Sequence, residues 1–408
     1  MALVDLLSRG YFPKELPRPF VTGPFATLVT STAQLPGDYL ERARRGSKLR
    51  PAKVCRYSHA RGGLLRRKLD ICNPLHYYLL SKELISNWPS IANHISGTPL
   101  AATSPEFKNT GRAINGQWPR NAQSHLAQVS RLGRKYVLLT DISRFYHSIY
   151  THSIPWAIHT KSVAKANRKF TLLGNKIDYW VRNGQDGQTI GIPIGPDTSL
   201  VLAELIMQRC DEALITKIPQ VKGYRFIDDY ELSFDTRTEA EDAFHVLETC
   251  LSDFELALNP KKTEVLELPL PLETSWATKL KLFSFRNTKS GQAADLESFI
   301  NIAFSLHREN PGDSVLQFAV ACLRSVNVNP SNWDLFQRLL LLCVVPNPAS
   351  FPYVLEQIIS RANTGAIPLK SELEEVTNNL IVNHSALKHS SEVANAAWAC
   401  LALPSVTV

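Results

Sequence analysis

The sequence predicts an α+β chain: an antiparallel sheet that carries carboxylates, followed by an all-α, solenoid-like C-terminal domain. Three observations predict it. Tyr136–Thr140 is an apolar, β-prone run that ends on Asp141. Val221–Phe234 reads as strand, tight turn, strand, because Tyr224, Phe226, Tyr230, Leu232 and Phe234 recur at period two around the pair Asp228 and Asp229. From about residue 290 the composition changes to helical segments separated by Pro, Gly or Asn.

The chain has 408 residues, room for two or three domains. Its apolar content, 44%, is that of a globular protein, and no segment is long and apolar enough to span a membrane. The N-terminus lacks the basic region, apolar core and cleavage site of a signal peptide. Seven scattered cysteines, none in a Cys-x-x-Cys pair, argue against a disulfide framework and a zinc site, and fit a reducing cytoplasm. The net charge of +8 is compatible with a nucleic-acid partner.

In chain order, residues 1–35 hold Pro13, Pro17, Pro19 and Pro24, which forbid a long helix and predict an extended arm. Residues 36–135 form a second segment. Arg42 to Lys68 contains eleven Lys or Arg and no acid, with Gly62-Gly63 as a turn between two strands; it is either a solvated loop or a phosphate-facing hairpin. Asn73-Pro74 opens a helix, and 97–120 is loop, where Arg112 and Arg120 (beside Trp118) are candidates to touch nucleic acid. A third segment, 136–288, contains both carboxylate elements and a basic stretch at 160–188. Gly191 and Gly195 lie in a Pro-stiffened loop that feeds an apolar helix, Leu200 to Leu214, and suits stacking against a base pair. A helix over 238–256, a basic turn at Lys261 and Lys262, and a strand from Glu264 follow; 269–285 is expected to form a hairpin. Residues 289–408 read as six helices (295–306, 314–326, 332–345, 351–361, 370–381 and 391–403), with His384, His389 and Trp398 as ordinary packing or surface residues.

A carboxylate at the end of a buried strand is an unusual place for charge, and adjacent carboxylates at a hairpin tip repel unless a cation binds. If Asp141 lies beside Asp228 and Asp229, three hard oxygen donors converge. That set suits Mg²⁺, and two such ions can activate an attacking 3′-hydroxyl and stabilise a leaving pyrophosphate.

The strings Asp141–Ile149, Gly191–Ser199 and Phe226–Asp229 resemble, in order and spacing, motifs A, B and C of reverse transcriptases. Arg9–Pro17 and Asp70–Pro74 are similar to the bacterial abortive-infection and defence-associated branch. The resemblance covers roughly residues 8–285 and implies a right-hand polymerase, with fingers at 36–135 and a palm at 136–288. It implies two Mg²⁺ ions (Mn²⁺ as a substitute) on Asp141, Asp228, Asp229 and the Ile142 carbonyl. Arg67 and Lys68, with Arg66, would hold the triphosphate of the incoming deoxynucleotide. Tyr146 would be a gate against the 2′-hydroxyl. Lys262, or Lys261 in its place, would protonate pyrophosphate. Implied partners are an RNA template, which a dedicated noncoding RNA could supply, the DNA product, and a second copy or another protein on the helical domain.

Two positions depart from the family pattern: Ile194, where many members have Gln, and Phe226, where Tyr is usual. The first keeps untemplated, even protein-primed, DNA synthesis in view. RNA synthesis by the same carboxylates is a third reading of the site. A non-catalytic nucleic-acid-binding scaffold is a fourth.

Overall fold

The computed structural model describes residues 3–31, 44–45, 48–63, 65–403 and 406. Residues 32–43 and 46–47, which the sequence assigns to the end of the arm and the start of the fingers, lie outside the described residues. By internal contacts the chain forms two units. One comprises 1–14, 21–55 and 70–272; the other comprises 15–20, 56–69 and 273–408.

The first unit is mixed α+β. Where an extended arm is expected, it begins with two short helices, α1 (Leu3–Arg9) and α2 (Gly23–Ser31). The prolines cap the length of these helices without preventing them, and Leu6 and Leu7 are fully buried. The helix α3 (Pro74–Ser86) starts as its sequence dictates: Pro74 sits in the first turn, and the Asn73 side chain accepts the Leu75 N–H at 3.0 Å.

The centre is a four-stranded antiparallel sheet of β1 (Tyr136–Asp141), β2 (Lys222–Phe226), β3 (Asp229–Phe234) and β4 (Glu264–Glu267), in the order β4-β1-β3-β2. Val137, Leu138 and Leu232 are fully buried in a core shared with the helix α4 (Asp197–Lys217) and with a second helix over Arg237–Ser252. The latter begins with a capping box in which Thr236 and Glu239 satisfy each other's backbone N–H groups.

Register decides which side chains meet at the strand ends. Val137 pairs with Ser233, Leu138 with Leu232, and the series ends with Asp141 opposite Asp229. Because side chains alternate in a strand, directly opposed residues point to the same face.

The second unit is helical apart from the hairpin tip at 56–69. Its helices are Ser275–Lys281, Lys289–Glu309, Val315–Cys322, Trp333–Leu341, Phe351–Ala362, α5 (Lys370–His384) and α6 (Ser390–Ala402). They enclose a core that includes Phe299, Phe336, Phe351 and Leu380. The hairpin expected over 269–285 is replaced by the helix Ser275–Lys281, which buries Ala277 and Leu280 at helical spacing. Among the described residues no helix is long and apolar enough to cross a membrane.

Candidate active site

The strands β2 and β3 are joined by Ile227 and Asp228. Ile227 has φ +61°, a conformation that a β-branched residue rarely adopts and that costs about 1–3 kcal/mol. Its surroundings hold it there. The Thr103 hydroxyl accepts the Ile227 N–H at 3.0 Å, and Arg225 Nη1 donates to the Ile227 carbonyl at 2.8 Å. The turn thereby sets Asp228 and Asp229 against the end of β1, where the Ile142 N–H donates to the Asp228 carbonyl at 3.2 Å.

Asp141 is buried. Lys262 Nζ donates to its Oδ2 at 2.5 Å, while Oδ1 is buried with no hydrogen-bond partner among the described residues. A lone buried carboxylate oxygen is expensive, and it is the feature a cation would satisfy. Burial foremost, then the neighbouring Asp229 and Asp141 charges, raises the Asp228 carboxyl to about 6, against the pull of Lys262. Burial also raises Asp229, opposed by Lys262 and Arg120. The hydrogen bond to Asp141 in turn raises the Lys262 ammonium. Arg120 Nη2 lies 3.8 Å from Asp229 Oδ2 and its guanidinium is 5.8 Å from the centre of the Phe226 ring, so both residues reach this edge of the sheet. A cavity of about 240 Å³ opens here, lined by Asp141, Asp229 and Lys262 with Gln123 and Tyr224. Asp141 and Asp229, opposed at the ends of β1 and β3, and Asp228 next to them in the turn offer hard oxygen donors of the kind a divalent cation takes.

The glycine loop is clamped from the N-terminal segment. Gly195 has φ +126°, and a Cβ there would run into the Pro13 ring. The Ile194 N–H donates to Asp70 Oδ2 at 3.0 Å, and the Asp70 N–H to the Ile194 carbonyl at 2.8 Å. Arg112, expected on nucleic acid, instead uses its guanidinium inside the protein. It donates to Asp197 Oδ1 at 2.7 Å, to the Gly195 carbonyl at 3.0 Å and to the Phe12 carbonyl. Asp197 completes the clamp by accepting the Ile114 N–H at 2.9 Å.

Tyr146 is half-buried against the core; its carbonyl accepts the Ile192 N–H at 2.8 Å and its ring meets Phe145 edge-on. Lys261 is exposed, its N–H bound to Asn259. The three candidates for the triphosphate lie in the second unit. Arg67 and Lys68 are exposed, whereas Arg66 is committed: Nη1 and Nη2 bind Glu392 at 2.6 and 2.8 Å, and Nε binds the Ser58 hydroxyl.

Sequence reasoning missed the buried polar group beneath the turn. Arg225 is fully buried and bonded to Glu204 and Asp211 of α4; Thr103 donates to Glu204 and Tyr230 to Asp211. A signal was present: Glu204, Gln208 and Asp211 fall at spacings of four and three, one stripe on a helix that otherwise reads as apolar.

Paired strand-end carboxylates beside a lysine, on a sheet edge open to a cavity, are a donor set that suits metal-assisted nucleotidyl transfer. Residues 90–288 match the family described as reverse transcriptase (RNA-dependent DNA polymerase). Over that segment the chain is similar to reverse transcriptases, and it is an enzyme of the RNA-directed DNA polymerase class. No curated protein matches it in sequence. Among solved structures it is similar to apo telomerase from Candida tropicalis, with 9% identity, TM-score 0.36, and coverage of 97% of this chain and 76% of that one. It is also similar to telomerase from Candida albicans in complex with a fragment of telomeric RNA, with 8% identity, TM-score 0.33, and coverage of 92% and 70%. At these values the assignment rests on the sequence family and on the geometry of the site.

Proposed function

We propose that the chain copies an RNA template into DNA with two Mg²⁺ ions held by Asp141, Asp228, Asp229 and the Ile142 carbonyl, in the cytoplasm of a bacterium, as part of antiphage defence. The observation that carries the metal assignment is the pairing of Asp141 with Asp229 at the sheet edge, together with the unpartnered Asp141 Oδ1. When bound, the ions supply activation of a 3′-hydroxyl and neutralisation of pyrophosphate. The residues of the chain do the rest. Phe226 and Arg120 face the primer side, the Ile194–Gly195 loop backs the nucleotide, and Lys262 offers a proton to the leaving group. The defence role draws its support from the resemblance of the segments at 9–17 and 70–74 to that branch, and from a helical region longer than a three-helix thumb. That region is read as a solenoid-like surface for a partner or a second copy. Seven free cysteines accord with a reducing compartment.

Ile194 favours a second reading, untemplated synthesis, because an apolar side chain removes a hydrogen-bond donor beside the nucleotide. Sequencing the nucleic acid that copurifies with the protein separates the two. A defined RNA with complementary DNA, the DNA missing from an Asp228→Ala, Asp229→Ala protein, is the expected result. DNA of unconstrained sequence with no matching RNA would replace templated copying by untemplated synthesis.

The gate reading of Tyr146 has its own test. Tyr146→Val is expected to raise ribonucleotide incorporation relative to deoxynucleotide by about tenfold or more, equivalent to about 1.4 kcal/mol of discrimination. Unchanged sugar selectivity in a competition assay would leave Tyr146 as a packing residue.

A further inference from the structure

The connection between α5 and α6 gathers three metal-ligating side chains that the sequence reads as ordinary. The Nδ1 atoms of His384 and His389 lie 2.8 Å apart. Glu392 Oε1 lies 3.6 Å from the first and 3.8 Å from the second. Among the described residues this is the group of three or more His, Cys, Asp or Glu whose ligand atoms all fall within 4.8 Å of one another. The three separations define a triangle whose centre is about 2.0 Å from every atom, the length of Zn–N and Zn–O bonds. A neutral imidazole carries a lone pair on one ring nitrogen, so two Nδ1 atoms face each other comfortably only around a shared proton or a shared cation.

The carboxylate is already oriented as a ligand's would be. Glu392 is buried, and its Oε2 accepts the Ser391 hydroxyl at 2.7 Å and Arg66 Nη2 at 2.8 Å. Oε1 accepts Arg66 Nη1 at 2.6 Å and keeps a further lone pair on the histidine side. Such outer hydrogen bonds fix a metal-binding carboxylate in place. The imidazoles are partly exposed, with 20% and 23% of their side-chain surfaces reaching solvent, which leaves a fourth position for water.

The geometry points to a transition-metal site, of the Zn²⁺ class, formed by His384, His389 and Glu392. Two imidazoles exclude Mg²⁺, which prefers oxygen donors, so this site and a three-carboxylate site select different ions. The ion would fasten the start of α6 to the end of α5. Through Glu392 it would also steady Arg66 and the hairpin tip that carries Arg67 and Lys68, all within the second unit.

The test uses the tag-free full chain, stripped of metal and dialysed against Zn²⁺ in excess Mg²⁺. One Zn²⁺ per chain is expected. His384→Ala and His389→Ala are expected to weaken binding about 10- to 100-fold or more, while Asp228→Asn leaves it unchanged. Co²⁺ added to the wild-type chain is expected to give the visible absorption of a low-coordinate, nitrogen-ligated ion, a readout that does not depend on how a variant folds. Failure of the wild type to retain Zn²⁺, equal retention by the histidine variants, or a Co²⁺ spectrum of the hexa-aquo ion would overturn the site.

Discussion

The Asp228→Ala, Asp229→Ala protein is expected to incorporate nucleotide at less than about one thousandth of the wild-type rate, a loss of more than about 4 kcal/mol of transition-state stabilisation. It should nevertheless fold at least as well as wild type without metal. Burial and the neighbouring acids hold Asp228 near 6, above its unfolded range. Between about 3.9 and that value the folded chain binds more protons than the unfolded one, so this group lowers stability as pH rises through that window. Below the window the penalty is absent; above it the penalty is full. Asp228→Asn therefore gains at pH 7, on the order of 1 kcal/mol after allowance for solvent, and gains nothing at pH 4. Thermal melts in chelator at both pH values check this. Mg²⁺ is expected to do the converse: it should raise the melting temperature of the wild type and leave that of the double variant unchanged. Mg²⁺-dependent synthesis by the double variant, or a lower melting temperature of Asp228→Asn at pH 7, would remove these aspartates from the metal assignment.

What the sequence disclosed and what it hid follow from range. Strand β1, the β2–β3 hairpin and the helix opening at Asn73-Pro74 are written in local periodicity and capping, and each lies where those signals place it. The six C-terminal helices were legible for the same reason. The placement of Asp141 opposite Asp229 is a matter of strand register, which the pattern suggests and only pairing decides. Partners far apart in sequence were invisible. Arg66 meets Glu392 from 326 positions away and Arg112 meets Asp197 from 85, so both arginines look free to bind phosphate until the fold is known. The arm expected over 1–35 shows the opposite error: in its described residues, 3–31, the spaced prolines mark helix ends as well as extended chain.

Arg225 supports the other large expectation. All of its guanidinium nitrogens are engaged: Nε with Asp211 at 3.0 Å, Nη1 with Glu204 at 3.0 Å and the Ile227 carbonyl at 2.8 Å, and Nη2 with Glu204 and Asp211, each at 2.8 Å. Burial pushes Asp211 upward against the pull of Arg225. Arg225→Leu leaves two buried carboxylates without their cation and is expected to cost about 3–5 kcal/mol. The variant's remaining stability should fall further as pH rises, because unpaired buried acids stay folded most easily when protonated. Arg225→Lys keeps the charge but lacks the fork that reaches two carboxylates and a carbonyl, so it should restore only part of the loss. A triple change, Arg225→Leu with Glu204→Leu and Asp211→Leu, removes charge and partners together and is expected to regain most of the stability. It does not regain the donor that holds the Ile227 carbonyl, nor the acceptor for Thr103. Its kcat should therefore stay at least tenfold down while the KM for nucleotide changes little, since the strained turn that presents Asp228 and Asp229 is no longer braced. A triple variant that recovers both melting temperature and kcat would reduce the network to a packing device. One that recovers melting temperature alone identifies Arg225 as the residue that positions the catalytic turn.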